Sequence, residues 1–292
     1  MKKIDVCPVC NHQEYSLVRA VMDHSVSKET FNIVKCDSCG FHFTNPIPDE
    51  EEIGKYYKSE SYVSHTSSKK GLINRIYHLV RWYSLRKKVR LIDKLTHGRN
   101  LLDIGAGTGH FLRVASEKGW NAVGLEPDDD ARAIAKRENK IDLQPINDLY
   151  LQSSQSFDVI TMWHVLEHIY HLQKDFEQIV SLLKVDGYLL VAVPNRQSYD
   201  ARKYKEYWAA YDVPIHLYHF VPDDIRKLAT QHNLNLVRIL PMPFDAFYVS
   251  MLSEQYMKGN LLRGILTGLK SNWLAKDEFW SSQIYILRRK MQ

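Results

Sequence analysis

Residues 101–112 read Leu-Leu-Asp-Ile-Gly-Ala-Gly-Thr-Gly-His-Phe-Leu, and this stretch restricts the fold more than any other in the chain. Two apolar residues lead into Asp103, and glycines follow at alternate positions: Gly105, Gly107 and Gly109. An apolar run that breaks into such a turn and resumes as Phe-Leu-Arg-Val-Ala-Ser predicts strand, tight turn, helix. The glycines accept backbone angles that other residues resist, and they leave no Cβ in the path of a ligand. A helix N-terminus beside bare backbone suits a polar or charged cofactor. Twenty-one residues beyond Gly105, Glu126 closes a second apolar strand, Ala122-Val-Gly-Leu. An acid in that place can accept both hydroxyls of an adenosine ribose.

The dinucleotide fingerprint is G-x-G-x-x-G, whereas the spacing here is D-x-G-x-G-x-G. That form resembles the first motif of the class I S-adenosylmethionine-dependent methyltransferases. Val123-Gly-Leu-Glu126-Pro127 resembles their second motif. Phe157-Asp-Val-Ile-Thr-Met-Trp-His-Val-Leu-Glu-His168 resembles the fourth-strand motif, and Leu182–Asn195 resembles the helix–Gly–fifth-strand segment. The resemblance covers 99–240 well and the flanks loosely. It implies an α/β fold with a Rossmann-like sheet of seven strands in the order 3-2-1-4-5-7-6. It implies S-adenosylmethionine as cofactor, with Asp103, Gly105, Ala106, Gly107 and Gly109 at the methionine end and Glu126 with Pro127 at the ribose. Asn147 or Asp148, after the third strand, would meet the adenine amine, unless it only caps a helix. Trp163 and His164, ending the fourth strand, would lie beside the cofactor, with Glu167 and His168 close by.

All four cysteines fall in the first 39 residues, as Cys7-Pro-Val-Cys10 and Cys36-Asp-Ser-Cys39-Gly40, with 25 residues between the pairs. Two such knuckles can close four thiolates around one tetrahedral Zn²⁺. Two disulfides suit an oxidising compartment, and a redox pair would sit on a βαβ unit rather than at both ends of a short strand-rich segment. The reading is a structural zinc held by Cys7, Cys10, Cys36 and Cys39, with a β-hairpin between the knuckles, strands Val18–Met22 and Phe31–Lys35. Balanced charge between the knuckles argues against a nucleic-acid surface. Sugar C-methyltransferases acting on nucleotide-linked keto-sugars also carry an N-terminal zinc-binding segment, though this chain lacks room for their extra C-terminal domain.

The sequence divides into a zinc ribbon at 1–48, a helical linker and lid at 49–98 and the methyltransferase-like domain at 99–292. Asp49 is placed to cap an acidic helix, Glu50–Tyr57. Residues 58–70 read as a loop, either a linker or a lid, with Tyr57, Tyr62 and His65 in or beside it. Residues 72–96 form one long amphipathic helix or two. From 69 to 94 there are nine basic residues and a single acid, Asp93. Such a run is a solvated face, or it attracts a phosphorylated substrate or a membrane surface. Val165-Leu-Glu-His-Ile starts the next helix. Asn195–Phe220 is too long for a simple loop and dense in aromatic residues, which suggests an acceptor pocket. His216 is the first candidate for a general base and His168 the second, each with a structural role as its rival. Helices around 246–258 and 260–270 would form a second wall, with Asp245, Phe247 and Tyr248 facing the substrate.

With 45% hydrophobic and 25% charged residues, the chain has an ordinary globular composition. No stretch approaches the roughly 20 apolar residues of a membrane span. Met1-Lys-Lys-Ile-Asp lacks the apolar core of a signal peptide, so the expected compartment is the cytoplasm. A net charge of +5 is too mild to imply nucleic acid. The expected function is methyl transfer to oxygen or carbon of a small molecule, a sugar or another biosynthetic intermediate. The alternative is an RNA methyltransferase that uses the ribbon for recognition. Nothing in the pattern sets an oligomeric state.

Overall fold

The computed structural model describes residues 1–57 and 72–290. The expected lid at 58–70, with Tyr62 and His65, lies outside the described residues. The first cysteine pair leads into β1 (Tyr15–Met22), which pairs antiparallel with β2 (Thr30–Cys36). β3 (His42–Thr44) joins β2 as the chain leaves the second knuckle. These are the hairpin strands expected from sequence, each somewhat longer. α1 is only Gly54–Tyr57. The expected helix Glu50–Tyr57 is thus reduced to its last turn. Asp49 and three successive glutamates crowd like charges there, and the Asp49 carboxylate accepts from the N-terminal ammonium at 2.7 Å instead of capping.

α2 (Leu72–Leu95) is a single helix. Val89 and Ile92 of its second half are buried against the main sheet. That sheet begins with β4 (Asn100–Ile104), followed by α3 (His110–Ser116), β5 (Asn121–Glu126), α4 (Asp129–Ile134), the short β6 (Gln144–Pro145) and β7 (Phe157–Trp163). α5 (Leu172–Leu182) runs into β8 (Leu183–Pro194). α6 (Tyr199–Tyr204) and β9 (Tyr218–His219) belong to the insertion that follows. α7 (Pro222–Gln231), β10 (Leu234–Pro241), α8 (Pro243–Tyr256), α9 (Leu261–Leu274) and β11 (Ser282–Arg289) complete the fold.

The seven strands lie in the order β10-β11-β8-β7-β4-β5-β6. Counted from β4, that is 3-2-1-4-5-7-6, the order that the resemblance implies. β4 pairs in parallel with both β5 and β7, and β11 runs antiparallel between β8 and β10. Leu189 to Val193 of β8 are each 0% exposed, as expected of a strand covered on both faces. No helix among the described residues is long and apolar enough to cross a membrane.

Two further features depart from the sequence reading. The segment expected to start a helix at Val165 is a single tight turn, Leu166–His168, and α5 begins at Leu172. The backbone of this turn is used by the insertion: Leu217 N–H donates to the Glu167 carbonyl at 2.8 Å. The aromatic insertion is also mostly core. Tyr204, Trp208 and Tyr211 are buried with Val21, Phe31 and Ile33 of the hairpin.

The insertion also completes the N-terminal sheet. β9 pairs with β3, His42 opposite His219 and Phe43 opposite Tyr218, giving the order β1-β2-β3-β9. Cys7, Val9, Cys36, Phe41 and Phe43 belong to the same buried cluster as Leu102, Ile104 and Met162 of the main sheet. The cysteine segment thus contributes to the core of the main sheet. The reason is local. The knuckles turn their carbonyls toward the larger body, where Gln173 donates to Pro8 O, Gln231 to Val9 O and Lys227 to Cys39 O at 2.7–2.9 Å.

Candidate active site

The turn after β4 is bound directly to the end of β5. Gly105 and Ala106 N–H groups donate to Leu125 O at 2.8 and 3.0 Å. Gly105 has φ +68°, and a Cβ there would lie 2.4 Å from Val165 Cγ2, so both its conformation and its neighbour require glycine. Gly107, at φ +55°, donates its N–H to Glu126 Oε2 at 2.7 Å. The other oxygen of Glu126 accepts from Asp128 N–H at 3.1 Å. Glu126 is 7% exposed, and burial raises its pKa against these two donors. Each carboxylate oxygen keeps a second lone pair for a ligand hydroxyl. Pro127 follows directly, and its carbonyl accepts from Arg132 at 2.9 Å.

The remaining expected cofactor residues fall on the same rim, with one difference in depth. Asp103 is 1% exposed beneath the turn, where it accepts from Thr161 Oγ1–H at 2.6 Å; burial pushes its pKa up to about 7. Its place is that of a support. Gly109 lies at the N-terminus of α3 with φ +75°. Asn147 and Asp148 sit in the tight turn Ile146–Tyr150 after β6, and neither side chain caps it. Trp163 ends β7, edge-on to Phe111 at 5.5 Å, and its buried Nε1 has no hydrogen-bond partner among the described residues. Lys88 of α2 lies 4.0 Å over the Trp163 ring, and burial lowers its pKa to about 8. Lys88 was not foreseen as a site residue. Its signal was a cation inside the apolar stripe Leu85, Val89, Ile92.

Beyond Trp163 the chain gathers titratable groups from three segments. His164, at φ +58°, is flanked by Asp245 Oδ2 at 3.0 Å from Nε2 and Glu167 Oε1 at 3.3 Å from Nδ1. Burial opposes its charge, but the two carboxylates prevail and raise its pKa to about 10, so both ring nitrogens donate. Glu167 is 0% exposed, and although burial raises its pKa, His164 holds it below the usual range. Its Oε2 has no hydrogen-bond partner among the described residues.

His168 and His216 meet edge to face, with ring centroids 4.7 Å apart. His168 Nδ1 lies 2.9 Å from Ile215 O, and His216 Nδ1 lies 3.0 Å from Ala210 O. A carbonyl only accepts, so both Nδ1 atoms carry the hydrogen and both Nε2 atoms keep a lone pair. Burial, with His216 alongside, lowers His168 to about 4. Asp212, which the sequence analysis missed, lies 4.0 Å from His216 Nε2. Tyr57 OH reaches His168 Nδ1 at 3.1 Å. Glu167, His168 and His216 bring donor atoms within 4.8 Å of one another. Of the expected second wall, Asp245 is in this cluster, while Phe247 packs against α9 and Tyr248 is 55% exposed.

This arrangement gives a prediction for stability. A neutral buried His168 with a pKa near 4 takes up its proton far less readily than the unfolded chain, in which histidine titrates near 6.5. The unfolded state therefore binds more protons between those values, and stability falls as pH falls from about 6.5 toward about 4. Urea unfolding at pH 7 and pH 4.5 is expected to show a drop smaller by roughly 2–3 kcal/mol in His168→Gln than in the parent. Equal drops would remove the assignment of a neutral buried ring.

The four cysteines form a second constellation. Cys7 and Cys39 Sγ are 3.6 Å apart, Cys10 and Cys36 Sγ are 3.5 Å apart, and all four lie within 4.8 Å of one another. Four thiolates at about 2.3 Å from a tetrahedral zinc would be separated by about 3.8 Å. The two knuckles repeat one geometry: Asn11 N–H donates to Cys7 O and Gly40 N–H to Cys36 O, at φ +59° and +78°. The donor set and spacing fit Zn²⁺.

The strand order, the glycine turn and the acid ending β5 define a class I, Rossmann-like methyltransferase fold. Residues 77–239 match the methyltransferase domain family, and the chain belongs to that family. An uncharacterized methyltransferase of Staphylococcus carnosus is 30% identical over 108 residues, 36% of this chain and 51% of the relative. The ubiquinone biosynthesis O-methyltransferase of Rhodopseudomonas palustris strain HaA2 is 26% identical over 163 residues, 52% of this chain and 64% of the relative. The chain thus spans between half and two thirds of the length of these curated relatives. Among solved structures, magnesium protoporphyrin IX methyltransferase from Synechocystis PCC 6803, with bound SAH, aligns over 82% of this chain and 100% of its own at TM-score 0.55 and 13% identity. Phosphoethanolamine N-methyltransferase 2 of Haemonchus contortus aligns over 86% and 62% at TM-score 0.55 and 14% identity. These two likenesses concern the fold.

Proposed function

We propose that this protein binds S-adenosylmethionine at the rim of β4, β5 and β7 and methylates oxygen or carbon of a small-molecule acceptor, a sugar or another biosynthetic intermediate. The observation that carries the proposal is Glu126, whose carboxylate is aimed by Gly107 and Asp128 N–H groups across the glycine turn. The cofactor supplies an electrophilic methyl group on a sulfonium. Glu126 holds the ribose hydroxyls, the Gly105–Gly109 turn lies against the methionine end, and Asn147 or Asp148 meets the adenine. Trp163 Nε1, without a partner among the described residues, supplies a donor on the same rim. His164 is a fixed cation and serves to position Glu167 and Asp245. His168 and His216 are neutral, so they are the groups that can take a proton from an acceptor hydroxyl.

The O-methyltransferase activity in ubiquinone biosynthesis for which one of the relatives is named supports a small-molecule acceptor. The alternative of RNA recognition by the ribbon is weaker, because the knuckle carbonyls accept from side chains of the larger body. Four cysteines placed for a metal rather than paired in disulfides support a reducing, cytoplasmic setting.

Calorimetry with S-adenosylhomocysteine tests the reading. Glu126→Ala removes a charge-assisted acceptor worth roughly 1.5–3 kcal/mol, so affinity is expected to fall about tenfold to a hundredfold. Undiminished affinity in that variant, or a preference of the parent for NAD, would overturn the proposal.

A further inference from the structure

The helix α9 is built inside out. Its inward side is small: Gly264, Thr267, Gly268 and Ser271 are buried. A Cβ on Gly264 would lie 2.7 Å from Met251 Cα, and one on Gly268 2.8 Å from Phe247 Cα, so the two backbones of α8 and α9 approach closely there. The large side chains stand on the other side. Leu262, Ile265, Leu266, Leu269 and Trp273 are 62%, 39%, 58%, 52% and 80% exposed. Their spacing makes one apolar stripe along a helix about 21 Å long. A folded protein in water gains nothing by showing such a stripe, and a contiguous apolar face of this kind marks a contact surface.

The charges on and around the stripe select the partner. Between residues 255 and 276 there is no acid, while Lys258, Arg263, Lys270 and Lys276 are all exposed. Lys270 rests 5.0 Å over the Tyr199 ring. A second copy of the chain docking through this face by a twofold would set Lys258, Arg263, Lys270 and Lys276 against the same four cations, an excess that the exposed Asp277 just beyond the helix does not offset. An anionic bilayer supplies what both features lack: an apolar layer for the leucines and tryptophan, and phosphates for the flanking lysines and arginine. Tryptophan is the side chain that settles most readily at the boundary between acyl chains and headgroups.

We propose that α9 lies in the surface of an anionic phospholipid membrane and docks the protein there without crossing it. The test is sedimentation of the full chain with vesicles. Binding is expected with mixed phosphatidylcholine and phosphatidylglycerol and is expected to weaken with salt. Vesicles of phosphatidylcholine alone should bind at least about tenfold less. The triple variant Leu266→Ser/Leu269→Ser/Trp273→Ser should lose the interaction while its thermal unfolding stays that of the parent, since these side chains are 58%, 52% and 80% exposed. The charge variant Lys258→Gln/Lys276→Gln should weaken binding with the apolar stripe intact. Absence of phosphatidylglycerol-dependent sedimentation overturns the proposal. So does light scattering that shows a dimer which the triple variant dissociates, because the stripe would then belong to a second copy.

Discussion

Removing the metal from the four-cysteine site is expected to unfold far more than the first 48 residues. A structural zinc in a finger-sized unit contributes roughly 10–16 kcal/mol, as much as the whole stability of an ordinary domain, about 5–15 kcal/mol. Zinc held by these four cysteines would not act on the first 48 residues alone. Cys7, Cys36, Phe41 and Phe43 pack in one cluster with Leu102 and Ile104, the strand that leads into the glycine turn. Chelation, or Cys36→Ser, should therefore abolish S-adenosylhomocysteine binding and the cooperative thermal transition together. Metal analysis of the intact protein should give one zinc per chain. A metal-free protein that still binds S-adenosylhomocysteine like the parent would show that the knuckles are dispensable to the fold.

The second large effect concerns the histidine pair. With a hydroxyl acceptor identified by S-adenosylhomocysteine release, His216→Asn is expected to lower turnover by roughly 10²–10⁴, the worth of a general base. Cofactor affinity should be unchanged, because His216 is buried against Ala210 and His168. The pH profile separates chemistry from packing. Burial lowers the pKa of both rings, that of His168 to about 4. The acid limb of kcat/KM should then lie well below the ordinary histidine range, because the lone pair stays available until the ring is protonated. Full turnover in His216→Asn, with a matching result in His168→Gln, would remove both residues from proton transfer.

Legibility in the sequence followed the range of the interaction. The glycine turn and the acid that closes the second strand were readable because each rests on a local pattern, alternate glycines and an apolar run, whereas the strand order was legible only through the resemblance to the methyltransferases. The cysteine cluster was readable from the spacing of its two knuckles. The insertion was not. Tyr204, Trp208 and Tyr211 have the composition of a pocket lining, yet they fill the space beside Val21 and Phe31, nearly 200 residues away in sequence. His164 likewise draws its charge from Asp245, 81 residues on, which no local pattern announces. Asp212 has no signature at all. Lys88 had one, a lysine in an apolar stripe, but it was hidden within a run of other cations.

The pairing of β3 with β9 has a consequence for how the chain is made. Thr44 donates its hydroxyl to His216 O, a contact across 172 residues. At a synthesis rate of about 5–20 residues per second, roughly 10–30 seconds separate the emergence of these two partners. During that interval the N-terminal hairpin has an open edge and its thiols have no finished shelter. A metal captured early would hold the nascent knuckles in register through the wait, and the last strand would then arrive at an edge already shaped to receive it.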